Sequence, residues 1–340
     1  ALQGAAARPA REDVRTYALN GASVQLLREL KVWEALPADA RTAVYDMHVE
    51  GDAAGSALDF SAWSQGVEAL AWIVDAAELE RALAAAVSFA PHVQSVGEGE
   101  VDAPLLALAE GKASSTRDKL GVAMPVQRYG HSAVAARLQS DLAHAGVARQ
   151  WFRSPDVLAL LPFDRPLPSM SYGLVWSVPQ ARADALMAMD TATFELALTD
   201  ATGGAAGMLR LCGERAAWPL TLSRAEQVCG PGWVLLGDAA HVVHPLAGQG
   251  LNLGLGDVRV LTQVIAEREA WRPLGDERLL QRYARQRALP TLAMGQLTDG
   301  LLHLFASDLP VLRELRNRGL NLVNGLSPLK RLLASFALES

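Results

Sequence analysis

Val234-Leu235-Leu236-Gly237-Asp238-Ala239-Ala240-His241-Val242-Val243-His244-Pro245-Leu246-Ala247-Gly248-Gln249-Gly250-Leu251-Asn252-Leu253-Gly254-Leu255-Gly256 is the stretch on which the fold turns. An apolar run over 233–236 stops abruptly at Gly237-Asp238. A loop with two histidines and Pro245 follows. Gly248-Gln249-Gly250 then opens onto Leu251-Asn252 and a helical pattern reaching about residue 269. A buried strand, an acid at its end, a glycine turn and a helix N-terminus make a site for a polar, partly anionic ligand.

Each part of the stretch also has a plainer reading. An aspartate at a strand end, as in Gly237-Asp238, can accept hydrogen bonds from ribityl or ribose hydroxyls, and the glycine lets a ligand approach closely. Taken alone, the pair reads more simply as a turn whose aspartate caps the next segment. Free amides at Gly248, Gly250, Leu251 and Asn252, together with the helix dipole, would stabilise negative charge. Glycines also simply permit tight turns. His241 and His244 are spaced i, i+3, but no nearby Cys or Glu completes a metal shell, so hydrogen-bonding histidines and no metal are expected. The polar turn Ala109-Glu110-Gly111-Lys112-Ala113-Ser114-Ser115-Thr116-Arg117 follows a strand, and Arg117 could reach a phosphate or carboxylate there or belong to a solvated turn. Arg15, in Asp13-Val14-Arg15, could touch ligand or make a surface salt bridge.

Outward from these motifs the chain changes texture twice. The spacing over 19–36 predicts a helix with Asn20 as N-cap. Residues 44–49 and 69–74 read as short strands. Asp75 to Glu78 forms a capping-box pattern before a helix over 79–87. Another apolar strand spans 104–109. From 122 to 222 short alternating segments (122–128, 132–138, 147–152, 157–161, 172–178) predict a mostly antiparallel sheet, with helical pieces near 180–201 and a last strand at 215–219. The α/β texture returns after 223, and 276–338 is mostly helical. This gives a discontinuous domain over 1–121 and 223–275, an inserted sheet domain over 122–222, and C-terminal helices over 276–340.

The 340 residues carry a formal charge of -6, are half hydrophobic and one-fifth charged, and so describe a globular chain with no expected nucleic-acid partner. Two cysteines, Cys212 and Cys229, suit a reducing compartment. Residues 1–10 lack the apolar core of a signal peptide. No apolar run of roughly 18 residues predicts a membrane span.

Three segments in order resemble the flavoprotein aromatic hydroxylases, the group A monooxygenases, and most closely their ubiquinone-biosynthesis branch. They are Asp13 to Asn20, Ala109 to Arg117, and Gly237 to Asn252; Tyr283 and Arg287 also suit that branch's last helix. The resemblance covers nearly the whole chain. It implies an α/β fold (α+β overall): a Rossmann-like FAD/NAD(P)-binding domain, an inserted antiparallel sheet forming the substrate wall, and a helical C-terminus. It implies FAD as cofactor and NAD(P)H as transient reductant. Asp238, beside Gly237, would bind the ribityl and pyrophosphate region. Pro245 would lie beside the isoalloxazine ring. The turn Gly248 to Gly250 would bring the backbone of Leu251 and Asn252 to N1 and O2. Arg15 and Arg117 would lie on the cofactor side. The family reaction uses O2 through a C4a-hydroperoxyflavin to hydroxylate a phenolic ring, here expected to be polyprenylated. No catalytic acid or base is nominated.

Two features depart from the family. Glu110 stands where its second fingerprint has Asp. The Gly-x-Gly-x-x-Gly turn of its first βαβ unit is absent, so the resemblance places residue 1 inside the second strand, about 30 residues into that unit. That leaves two readings, an N-terminally shortened hydroxylase that is poor in FAD, or a flavin-free pseudoenzyme or interaction subunit of a quinone-biosynthesis complex. A halogenase would carry a further lysine and a tryptophan-rich motif, which are not found. A prenylated substrate implies contact with the membrane surface, and the protein is expected in the cytoplasm, peripheral at the inner membrane; Leu301, Leu304, Phe305, Leu309, Leu312 and the segment Leu329 to Leu333 could offer an apolar face or simply pack on the core.

Overall fold

A computed structural model describes residues 2–3, 13–52, 55–96, 102–243 and 249–306. Strand β1 (Leu2–Gln3) is the first element. Strand β2 (Thr16–Leu19) leads directly into helix α1 (Gly21–Glu29). Asn20 caps that helix by accepting from Ser23 N at 2.8 Å, as its side chain predicts. The helical spacing over 19–36 overreaches. The helix stops at Glu29, Lys31 takes a left-handed backbone with φ of 57°, and Trp33–Ala35 make one 3-10 turn.

The single strand expected over 44–49 is two strands in two sheets. Strand β3 (Arg41–Val44) ends where β4 (Asp46–Glu50) begins. Tyr45 between them donates from its amide to Gly146 O and accepts from Ala62 N. Strand β5 (Ala57–Ser61) and the short α2 (Ala62–Gln65) follow, then β6 (Ala71–Asp75). Helix α3 (Ala76–Ser88) is capped by Asp75, which accepts from Glu78 N at 3.1 Å. Strands β7 (Ser95–Val96) and β8 (Leu106–Leu108) precede α4 (Ser115–Lys119). The sheet β2-β6-β3 is antiparallel, whereas β1 pairs with β7 in parallel.

The middle of the chain forms β9 (Val126–Ser140), β10 (Val147–Arg153), β11 (Asp156–Phe163) and β12 (Ser171–Pro179). Helices α5 (Gln180–Ala188) and α6 (Thr191–Thr202) and strand β13 (Leu209–Arg224) complete it. The segment 122–128 is strand only from Val126, and there it joins 132–138 in one strand, interrupted by a bulge between Arg128 and Ser132 where Gly130 has φ of 67°. A second bulge at Gly213, φ 86°, hides the first half of β13 from a period-two reading. Beyond come β14 (Cys229–Gly230), β15 (Trp233–Leu235) and β16 (His241–Val242), then α7 (Gln249–Ala266) and α8 (Glu277–Ala306).

Eight strands make the large mixed sheet, in the order β16-β13-β9-β12-β11-β10-β4-β5. Only β10 and β4 pair in parallel. The sheet therefore reaches outside 122–222, recruiting residues 46–61 at one edge and 241–242 at the other. One face packs on α5 and α6 through Trp151, Leu158, Trp176, Phe194 and Leu198. Strand β15 runs parallel to β8 in a separate three-stranded sheet with β14, covered by α7 and α8 through Val234, Leu261, Leu279 and Tyr283. No helix among the described residues is long and apolar enough to cross a membrane. Leu309, Leu312 and the segment Leu329 to Leu333 lie outside the described residues, as do the side chains of Leu301, Leu304 and Phe305.

Candidate active site at the end of β15

Strand β15 delivers its C-terminal end to the site. Pairing continues to Leu236, whose amide donates to Leu108 O at 2.9 Å. Gly237 then turns the chain with φ of 56° into one 3-10 turn, Gly237–Ala239. Helix α7 crosses close behind. A β-carbon on Gly254 would stand 3.3 Å from Gly237 Cα, so both positions favour glycine, one for its dihedral and one for the backbone approach.

Asp238 follows, half-buried, and makes no hydrogen bond or ion pair to another described residue. Its carboxylate acts on the Tyr17 hydroxyl across the corner. Burial first, then the negative charges of Glu80, Asp13 and Asp238, push the Tyr17 pKa up, against the pull of Arg15. Arg15 sits at this corner, 5.8 Å from the Tyr17 ring centroid. It is doubly paired with Asp13, by Nε to Oδ1 at 2.8 Å and Nη2 to Oδ2 at 2.5 Å, and reaches Glu80 at 3.2 Å. Its carbonyl accepts from Arg137 Nη2 at 2.8 Å, which also reaches Asp75 at 3.1 Å. Arg137 thereby ties the large sheet to the strand carrying Arg15.

The N-terminal turn of α7 meets the junction of β2 and α1. Asn252 is buried there. Its Oδ1 accepts from Asn20 N at 3.1 Å and Ser23 Oγ at 2.8 Å, and its Nδ2 donates to Ala18 O at 2.8 Å. The resemblance assigned a role to its backbone; the side chain does separate work, holding α7 against β2. Leu251 packs on the cluster of Leu19, Val24 and Leu27. Gly250 is half-buried, and a β-carbon on it would meet Val243 only at ordinary contact distance. His244, Pro245 and Gly248 lie outside the described residues.

Arg117 does not stand in a solvated turn. It is buried, and its guanidinium turns inward. It donates to Ala239 O at 3.3 Å, Lys112 O at 3.2 Å, Asp118 Oδ1 at 3.1 Å and the Met124 sulfur at 2.8 Å. A buried guanidinium has to satisfy its N–H groups, and the carbonyls of two turns do so here. It braces the turn after Gly237 from beneath instead of standing in a solvated loop. Glu110 uses its longer arm to accept from Ser114 Oγ at 2.5 Å, Thr116 Oγ1 at 2.6 Å and Thr116 N at 3.0 Å. Burial works to raise its pKa, but these donors outweigh it and hold the carboxyl below its ordinary value.

A residue that sequence reasoning passed over joins these parts. Asp257, 0% exposed by side chain, accepts from Gly237 N at 2.8 Å, His241 Nε2 at 2.7 Å and Arg287 Nε at 2.6 Å. Arg287 also donates to Leu253 O at 3.0 Å, and Tyr283 on the same helix donates to Leu235 O at 3.0 Å. The signal was present in the sequence. Leu253, Asp257, Leu261 and Val264 lie on one helical stripe, all buried, and an acid on an apolar stripe needs partners. Among the described residues no group of three or more His, Cys, Asp and Glu could hold a metal ion.

Known proteins resemble this chain over most of its length. Residues 76–296 match the family model described as a FAD binding domain. Ubiquinone hydroxylase UbiL of Rhodospirillum rubrum is 33% identical over 240 residues, covering 70% of this chain and 55% of its own length. The chain thus spans little more than half of that relative. 3-Demethoxyubiquinol 3-hydroxylase of Escherichia coli is 30% identical over 351 residues, with 96% of this chain and 87% of that protein covered. Among solved structures, PqsL, described as a probable FAD-dependent monooxygenase from Pseudomonas aeruginosa, superposes with a TM-score of 0.72 at 19% identity, over 92% of this chain and 90% of the other. HpxO of Klebsiella pneumoniae, complexed with FAD and uric acid, gives 0.68 at 17% identity, over 95% and 89%. The chain shares the flavoprotein monooxygenase fold of these solved structures.

Proposed function

This chain belongs to the FAD-binding monooxygenases, in their ubiquinone-hydroxylase branch, and from that premise we propose that it hydroxylates the aromatic ring of a polyprenylated phenol. The balanced reaction takes the phenol, O2, NAD(P)H and one proton to the hydroxylated ring, NAD(P)+ and water. FAD, when bound, supplies the hydride acceptance and the activation of oxygen.

The observation that carries this reading is Asp238: a half-buried carboxylate with no described protein partner, at the end of a parallel strand, beside two glycines in backbone contact. These residues fit the ribityl end of a flavin, whose hydroxyls would donate to the carboxylate. The amides of Gly250, Leu251 and Asn252 at the start of α7 favour negative charge beside them. Arg15 and Tyr17 border the same corner. The large sheet, tied on by Arg137, would form the wall that excludes water and receives the ring. A prenylated substrate would bring the protein to a membrane surface.

The test is direct. The purified chain is titrated with FAD, and NAD(P)H oxidation is followed with and without a prenylated phenol. Flavin uptake and a hydroxylated product are expected. A chain that takes up no flavin, together with an Asp238→Ala variant that leaves cellular quinone formation unchanged, would support the flavin-free partner and sink the hydroxylase.

A further inference from the structure

We propose that Asp257 is the positioning residue for the Asp238 carboxylate, acting through the Gly237 amide. The inference rests on the corner being a flavin site. Asp238 has no described side-chain partner, so the backbone before it decides where its carboxylate points. That backbone is Gly237, left-handed at φ 56° and without a β-carbon to bias it. A glycine in a turn is free to leave that conformation unless something outside it holds the N–H.

Asp257 is what holds it. Its Oδ2 accepts from Gly237 N at 2.8 Å, and the same oxygen takes His241 Nε2 at 2.7 Å. The two donors flank Asp238 along the chain, so one oxygen fixes both ends of the turn. Oδ1 is clamped by Arg287 Nε at 2.6 Å, which stops the carboxylate from rotating. Gly254, three residues before Asp257 on α7, presses its backbone against Gly237. Arg287 is anchored in turn on Leu253 O. Helix α8 thereby reaches the turn through one buried carboxylate. His241 Nδ1 is buried with no partner among the described residues, so the Asp257 bond holds the ring, while the backbone of His241 pairs with Arg224 in β13.

Two variants of the full chain test this. Asp257→Asn keeps the volume and leaves one acceptor oxygen. The pair Asp257→Leu with Arg287→Met removes both charges together, so that no lone ion is buried. Two quantities are read well below the melting temperature: hydrogen exchange at the Gly237 amide without flavin, and the FAD Kd. The expected result is a folded pair variant whose Gly237 amide exchanges about tenfold faster or more, and whose Kd rises by about tenfold, the worth of one hydrogen bond. Asp257→Asn should fall between the pair and the wild type; if the pair does not fold, Asp257→Asn makes the same comparison. Folded variants with wild-type exchange and wild-type Kd overturn the proposal and leave Asp257 a packing residue. A wild-type chain that binds no FAD overturns the flavin reading instead, and the exchange measurement still decides whether Asp257 holds the turn.

Discussion

The two sides of the molecule are buried by opposite means. Under α5 and α6 the large sheet packs Trp151, Leu158, Leu160, Tyr172, Trp176, Phe194 and Leu198, an interior of apolar side chains and rings. At the end of β15 the buried groups are Asn252, Asp257, Arg287, His241 and Arg117, held by directional bonds. The first interior contributes mainly through area removed from water, so it tolerates swaps of similar volume. The second contributes little net stability, since desolvation offsets its attractions, but it fixes atoms in place. A region built to hold a ligand's shape can be recognised by that exchange of area for geometry.

Substitutions can break this contrast at either end. Phe194→Ala leaves a cavity in the apolar interior and should cost about 3–5 kcal/mol in denaturant unfolding, while the folded protein keeps its FAD affinity. Asp238→Ala should do the reverse. Melting shifts little, because no described residue loses a bond, whereas FAD affinity drops by about 10–100-fold, the range for a charged acceptor worth roughly 1.5–3 kcal/mol. Equal flavin loss in both variants would erase the distinction.

Gly254→Ala sharpens it further. Alanine favours a helix by up to about 1 kcal/mol, but its methyl would lie 3.3 Å from Gly237 Cα, and backbone gives way poorly. Melting should stay close to wild type while FAD binding weakens several-fold in a calorimetric titration. The smallest effect concerns Glu110. Its carboxyl is held below the usual 4.5 in the folded state, so its contribution is present above that pH and is lost as pH falls through the folded value. The stability gap between wild type and Glu110→Gln should be constant above about pH 5 and narrow in more acid solution. A gap that widens in acid would contradict the Ser114 and Thr116 bonds as its source.

Local chemistry was legible in the sequence, and partners distant along the chain were not. The caps at Asn20 and Asp75 each act within three residues, and both stand where the side chains indicate. The strand, turn and helix around Gly237 are likewise a local pattern. The split at Tyr45 was hidden because β4 pairs with β10, about a hundred residues later, and nothing in residues 46–50 announces that partner. The bulges at Gly130 and Gly213 shift the alternation of β9 and β13 in mid-strand. The polar neighbours of Arg117 left a solvated turn open as one reading; the carbonyl that helps bury it belongs to Ala239, 122 residues away. Asp257 was readable, as a lone charge on the apolar stripe of α7.

The tie between α8 and the Gly237 turn also bears on how the protein is made. Asp257 emerges from the ribosome thirty residues ahead of Arg287. Until α8 arrives, closing α7 over the turn would bury a carboxylate without its counter-charge, which is strongly unfavourable. Tyr283, which bonds the end of β15, is equally late. The corner that would hold the flavin is therefore locked only after α8 has followed α7 out of the ribosome, so that the ligand site closes later than the strand and turn that begin it.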